Sequence, residues 1–242
     1  MYIKNFSDFY KDPEDYDKVM LGSDDNELDF YKSVIQKGSV LYLGSGDGRL
    51  LKEFLKINKD VTGVEISEEM VAKCKKLIPE ANVLVQDVLT LDLKQKFDII
   101  IAPYRFLAHI TQSQAKELFK IAANHLNEGG IFIGDMWSPY HPKDKKQEIQ
   151  IGDIVFHEDY FEKFYYIFNF EKQILTEAIE RTYVNGPART DLIKLDFTYY
   201  YPEQLRDYAS NAGLTEIELY GSFTRGKFDE EADELIYSFI KR

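Results

Sequence analysis

One cysteine among 242 residues leaves no partner for an intramolecular disulfide, so the chain is not built on a disulfide framework. Met1 is followed by no charged-then-apolar leader, and no apolar run approaches the roughly eighteen residues of a membrane span. The expectation is a soluble protein of the cytoplasm with no membrane partner. Basic residues are the minority charge, 30 Lys and Arg against 42 Asp and Glu, and the formal net charge of −12 opposes attraction to phosphate backbones. Nucleic acid is therefore not an expected partner. Internal repeats, low-complexity tracts and long Pro/Ser linkers are also missing, which leaves hydrophobic periodicity to organise the chain. His125 and His157 have no companion at metal-ligand spacing, so no metal is expected.

Aromatic rings are abundant instead, with 17 Tyr and 17 Phe, and 44% of residues are apolar. A chain this long buries a substantial core in one large domain, or in one domain with an insert. The first forty residues open with Tyr2, Phe6, Phe9, Tyr10 and Tyr16. Ser23 to Glu27 then form an N-cap cluster, and Leu28, Tyr31 and Ile35 make one helical stripe. Short apolar runs follow in alternation with amphipathic segments: 39–43, 60–65, 81–85, 97–102 and 131–136 as strands, 49–57 and 67–77 as helices. Thr111 with Gln114 starts another helix, with Ala115, Leu118, Phe119, Ala122 and Leu126 inward and Gly129-Gly130 as its stop. This grammar predicts a parallel sheet covered on both faces. From about 149 to 201 it changes to antiparallel alternation with an Asn185-Gly186 turn, before Pro202 opens a helix and two strands, 216–223 and 234–240, close the chain.

The stretch Val40-Leu-Tyr-Leu-Gly-Ser-Gly-Asp-Gly-Arg49 sits between a strand and a helix, where free amides and the helix dipole attract an anionic group. Gly44, Gly46 and Gly48 give G-x-G-x-G, and Arg49 stands where a dinucleotide fingerprint carries its third glycine. That spacing weakens a dinucleotide reading. Glu65 and Asp87 follow at the ends of the next two strands, where one carboxylate can accept ribose hydroxyls and the other an adenine amino group.

With these motifs the chain resembles the class I S-adenosylmethionine-dependent methyltransferases. The resemblance rests on residues 40–49, Val64-Glu65, Gln86-Asp87-Val88, Phe97-Asp-Ile-Ile-Ile-Ala-Pro103 and Leu126-Asn-Glu-Gly-Gly-Ile-Phe-Ile133. It covers about 38–137, with a continuation in 202–242. Arg105 to Ile110, Asp135 to Pro139 and the tail are similar to the small-molecule branch, which includes sugar-amine N-methyltransferases. It implies a Rossmann-like α/β fold: a seven-stranded, mostly parallel sheet, helices on both faces, the last strand antiparallel, and an antiparallel β insert. The expected parts are an N-terminal helical cap (1–37), a cofactor-binding core (38–145), an insert serving as acceptor lid or dimer contact (146–201) and a return to the core (202–242). The oligomer is a monomer or a homodimer.

The implied cofactor is S-adenosylmethionine, leaving as S-adenosylhomocysteine, held by Gly44, Ser45, Gly46, Gly48, Arg49, Glu65, Ile66, Asp87, Val88, Ala102 and Tyr16. Methyl transfer is an in-line displacement that needs alignment and exclusion of water more than strong acid-base chemistry. His109 is the candidate base, or packs at the head of the Thr111 helix; Tyr104 lines the methyl path, or covers the sheet. Tyr10 and Tyr16 close over the site or pack within the cap. Arg105, Trp137, Tyr140 and Tyr199, with Tyr10, are candidates for the acceptor, and Trp137, Tyr140 and His141 read equally as an aromatic hinge. Arg49 pairs with the cofactor carboxylate, with a cap acid, or with solvent. Cys74 reads as a buried thiol, and Asp229 to Glu234 as a solvated acidic loop. Rings on an acidic protein suit a cationic or amine acceptor. A protein acceptor, a nicotinamide-dependent oxidoreductase and a non-catalytic cofactor-binding protein are the competing readings.

Overall fold

A computed structural model describes residues 3–4, 25–140 and 149–242. Among them, seven strands form one sheet: β2 (Val40–Leu43), β3 (Val61–Glu65), β4 (Asn82–Val85), β5 (Phe97–Ala102), β6 (Leu126–Trp137), β11 (Leu214–Tyr220) and β12 (Glu234–Lys241). Their order is β11-β12-β6-β5-β2-β3-β4. β2 to β6 are mutually parallel, and β12 runs antiparallel to both β6 and β11. The anticipated Rossmann-like sheet with an antiparallel last strand is therefore present. All four residues of β2 are buried, as a strand covered on both faces requires.

The connecting helices are α1 (Asp25–Val34), α2 (Arg49–Phe54), α3 (Glu68–Leu77), α4 (Gln112–His125) and α5 (Pro202–Asn211). Ser67 caps α3 by accepting the Met70 amide, and Thr111 with Gln114 forms a complete capping box on α4. The stop of α4 differs from expectation. The helix ends at His125, Leu126 is already extended, and Gly129 with Gly130 lies inside β6. Gly130 serves packing within the sheet, since a Cβ there would sit 2.9 Å from the Asn127 carbonyl oxygen, while Gly129 supplies a left-handed turn at φ +80°.

A second sheet carries β7 (Ile149–Phe156), β8 (Tyr160–Asn169), β9 (Ile174–Tyr183) and β10 (Thr190–Thr198) as an antiparallel meander. A short N-terminal strand, β1 (Ile3–Lys4), adds to it in parallel beside β10. The chain's beginning thus joins the sheet formed 150 residues later, which local sequence did not indicate. Ile179, Ile193, Leu195 and Phe197 share one face of this sheet and merge with Leu107, Ala108 and Met136 into a single buried cluster. Each such side chain contributes about 1.5–3 kcal/mol by leaving water, which fixes the insert over the C-terminal end of the main sheet. No helix among the described residues is long and apolar enough to cross a membrane.

Candidate functional site

The strand ends of β2, β3 and β4 and the loop after β5 open on the same edge of the sheet, where such folds bind ligands. Gly44, Gly46 and Gly48 all take positive φ, +69°, +55° and +84°. Two are required by packing: a Cβ on Gly44 would lie 2.5 Å from the Phe106 ring, and one on Gly48 would lie 2.4 Å from Cys74 Sγ. Gly46 meets nothing within 4 Å, so its bare backbone faces open space. Cys74 is buried, with its thiol pushed up to about 11 by desolvation, which agrees with a structural thiol. Ser45 is buried and its Oγ has no hydrogen-bond partner among the described residues. Arg49 opens α2, and its guanidinium lies 4.8 Å from the centre of the Tyr104 ring.

Glu65 ends β3 with both carboxylate oxygens engaged, Oε2 accepting from the Gly46 amide (3.0 Å) and Oε1 from the Ser67 amide (2.9 Å). Beside it Ile66 is 66% exposed, a large apolar side chain left in the open at the rim of the glycine loop. Asp87 follows β4 and caps a short 3-10 turn, Val88–Thr90, by accepting the Leu89 amide at 2.9 Å. Val88 is buried beneath it, and Ala102 ends β5 fully buried, so any approach to Ala102 is through its backbone.

Beyond Ala102 the chain turns sharply. Tyr104 and Arg105 are consecutive non-glycine residues at φ +56° and +55°, a strained conformation that the surroundings must impose. Two buried carboxylates impose it. The Tyr104 amide donates to Glu27 Oε1 on α1 at 3.2 Å, and the Arg105 amide to Asp135 Oδ2 on β6 at 2.9 Å. Tyr31 donates its hydroxyl to Asp135 Oδ1 at 2.5 Å, and Arg105 pairs with Glu234 of β12 at 2.6 Å. The Arg105 guanidinium pairs with Glu234, and its charge also acts on Asp135 and Glu27 nearby. Burial, then the charge of Asp135, raises Glu27 to about 8, and burial raises Glu234 to about 7 and Asp135 above its usual value.

This strained turn leads into a second 3-10 turn, Phe106–His109. His109 is solvent-accessible, yet desolvation by the protein around it lowers its pKa to about 4. The direction leaves the imidazole neutral at pH 7. A line of rings continues into the insert: His109 meets Phe197 at 5.6 Å, Phe197 meets Trp137 at 5.2 Å, and Arg105 lies 5.1 Å from the Trp137 ring. Tyr199 and Tyr140 flank Tyr201 at 6.0 and 5.8 Å, and burial pushes the Tyr199 phenol up to about 12.

The structure thus gathers Gly44, Ser45, Gly46, Gly48, Arg49, Glu65, Ile66, Asp87, Val88, Ala102 and Tyr104 around one edge, with His109, Arg105 and Trp137 joined through ring contacts beside it. Tyr140 and Tyr199 form a separate aromatic group with Tyr201. Tyr10, Tyr16 and His141 lie outside the described residues. The acidic run before β12 is not wholly a solvated loop, because its last member, Glu234, is drawn into the sheet against Arg105. Sequence reading missed Glu27, Tyr31 and Phe197. Glu27 carried a signal, an acid four residues before Tyr31 on the apolar stripe of α1; Phe197 carried none that separates it from other insert rings.

Residues 40–130 match the family model described as a methyltransferase domain. An uncharacterized methyltransferase of Bacillus cytotoxicus is 31% identical over 114 residues, 46% of this chain and 53% of that protein. The dTDP-3-amino-3,4,6-trideoxy-alpha-D-glucopyranose N,N-dimethyltransferase of Streptomyces venezuelae is 26% identical over 103 residues, 42% of this chain and 44% of that one. The chain therefore spans about half the length of these relatives. The solved CcbJ methyltransferase of Streptomyces caelestis superposes with a TM-score of 0.83 at 21% identity, covering 96% of this chain and 98% of that chain, a likeness of fold. Residues 40–130 are thus similar to methyltransferase domains, and the cofactor of that fold is S-adenosylmethionine. The residues here fit that cofactor: an open glycine backbone, the buried unpartnered Ser45 Oγ, and carboxylates at two successive strand ends.

Proposed function

We propose that the protein moves the methyl group of S-adenosylmethionine to an amine nitrogen of a small molecule in the cytoplasm. The observation that carries this reading is one of placement: the glycine loop, Glu65 and Asp87 end on the same side of the sheet as the contacting rings of His109, Phe197 and Trp137. The amino-sugar specificity in the name of the S. venezuelae relative supports nitrogen as the acceptor atom.

Bound there, the cofactor supplies an electrophilic methyl on a sulfonium. Glu65 accepts the ribose hydroxyls, Asp87 the adenine amino group, Ile66 and Val88 pack on the adenine, and the backbone of Gly44, Gly46 and Ala102 receives the methionine end. Arg49 neutralises the methionine carboxylate. Tyr104, fixed by the Glu27 hydrogen bond, lines the methyl path. The acceptor nitrogen would gain that methyl group and release a proton, which His109, neutral at pH 7 and open to solvent, would relay to water. Trp137 and Arg105 shape the acceptor side, and the insert acts as a lid.

The test is methyl transfer from labelled cofactor to a panel of small amines, alcohols and carboxylates, with thermal shifts read for S-adenosylmethionine, S-adenosylhomocysteine and NAD. Labelled amine product and stabilisation by the two sulfur compounds are expected. Stabilisation by NAD alone, or turnover of neutral and anionic acceptors only, overturns the reading.

A further inference from the structure

Three acids point from the insert sheet toward the core, and they are not treated alike. The ladder β8-β9-β10 places Glu162 opposite Arg181 and Arg181 opposite Asp191 on that face. Glu162 is neutralised by Arg181 at 2.8 Å, with His157 at 3.3 Å, and Asp191 is paired with Arg189. Glu177 lies on the same face, between Tyr166 of β8 and Leu195 of β10. It has no hydrogen bond or ion pair among the described residues. Burial, and then the charge of Glu162, push its carboxyl up to about 7, the signature of a charge that lacks a counter-ion.

Its position relates it to the ring group of His109. Leu175 and Phe197 are partners one rung along the ladder, and Phe197 is the ring that meets His109. Two residues along a strand span about 7 Å, so Glu177 stands roughly one amino-alkyl length along the sheet from the rung of Phe197. The rings of Tyr166 and, on neighbouring rungs, Phe164 and Phe168 border it on β8.

We infer that Glu177 binds a cationic group of the acceptor distinct from the nitrogen that is methylated, so that the acceptor is a small molecule carrying at least two basic groups. An ammonium held by a carboxylate has its lone pair occupied by a proton and does not attack a methyl group; the group at Glu177 is the handle, and a second, neutral nitrogen nearer His109 is the nucleophile. This rests on the amine reading above.

The probes are 1,4-diaminobutane and 1,4-butanediol, which match in length and differ in charge. They are titrated calorimetrically into the full chain loaded with S-adenosylhomocysteine. Wild type is expected to bind the diamine about tenfold or more tighter than the diol, the scale of a charge-assisted hydrogen bond. Glu177→Gln, isosteric and free of the buried charge, is expected to erase that preference, and Glu177→Asp to retain part of it. Affinity for the diol and for S-adenosylhomocysteine stays as in wild type. In turnover, the loss in Glu177→Gln falls on KM for the diamine with kcat held. A preference absent from wild type, or undiminished in Glu177→Gln, overturns the inference and leaves the amine reading standing. Failure of every amine to accept label in wild type defeats the amine reading, and this inference with it.

Discussion

The Gly46 amide donates to Oε2 of Glu65 at 3.0 Å, so one carboxylate both braces the glycine loop and marks where a ribose would compete for it. The two uses are separable by measurement. Glu65→Gln keeps an acceptor oxygen for the loop but loses the charge that strengthens bonds to hydroxyls. Its affinity for S-adenosylhomocysteine, read by calorimetry, is expected to drop about tenfold to a hundredfold, with a small change in melting temperature. A variant that binds as wild type does would remove Glu65 from the cofactor site.

The glycines of the loop are expected to fail in different ways. In Gly48→Ala the new methyl meets Cys74 Sγ at 2.4 Å and the residue sits at φ +84°, so the melting temperature should fall. In Gly46→Ala the methyl enters open space, and the stability cost is limited to a left-handed backbone, about 1–2 kcal/mol. Its larger effect is expected on cofactor affinity, because the methyl occupies the approach to the backbone. Equal losses of affinity in the two variants, once matched for folded fraction, would contradict this division.

Glu27 predicts a pH dependence of stability with a definite sign. Its carboxyl rises from the usual 4.5 to about 8 in the folded chain, chiefly through burial, so the folded state holds a proton that the unfolded state has lost. That contribution is complete below about 4.5 and is lost as pH rises through 8. Glu234, raised to about 7, and Asp135 act in the same direction. Wild-type melting temperature should decline between pH 5 and 8, and Glu27→Gln should flatten part of that decline. At pH 8 the variant is expected to melt roughly 2–4 °C higher per kcal/mol recovered. A steeper decline in the variant would refute the assignment.

His109 has a lowered pKa, so its imidazole is neutral throughout the neutral range and any acidic limb it imposes on kcat lies below pH 6. Its removal in His109→Ala is expected to reduce kcat by about a hundredfold without altering affinity for S-adenosylhomocysteine. Unchanged turnover across pH in that variant would dismiss it as the base and leave packing against Phe197 as its role.

The edge of the sheet was legible because each of its features is local. A three-glycine loop after an apolar run, an acid ending the next strand and another after the following one are spacings along the chain, and parallel β-α units bring such ends together by construction. The capping box of Thr111 and Gln114 was legible for the same reason. Glu27 was not, because its partner is a backbone amide 77 residues away. Nor was Glu234, which closes an ion pair across 129 residues; a run of acids reads as solvated until a guanidinium is delivered to one of them. The pairing of Arg105 with Glu234 is likewise invisible to spacing along the chain.

By itself, then, the sequence determined the class of fold, the strand-loop-helix that receives a cofactor and the acids beside it, because periodicity and short-range spacing encode these directly. Tertiary structure alone decided which rings meet beside His109, which of the insert's acids is left without a counter-charge, and why Tyr104 and Arg105 hold a strained turn. Those properties depend on contacts between segments far apart in the chain, and on the desolvation that only close packing creates.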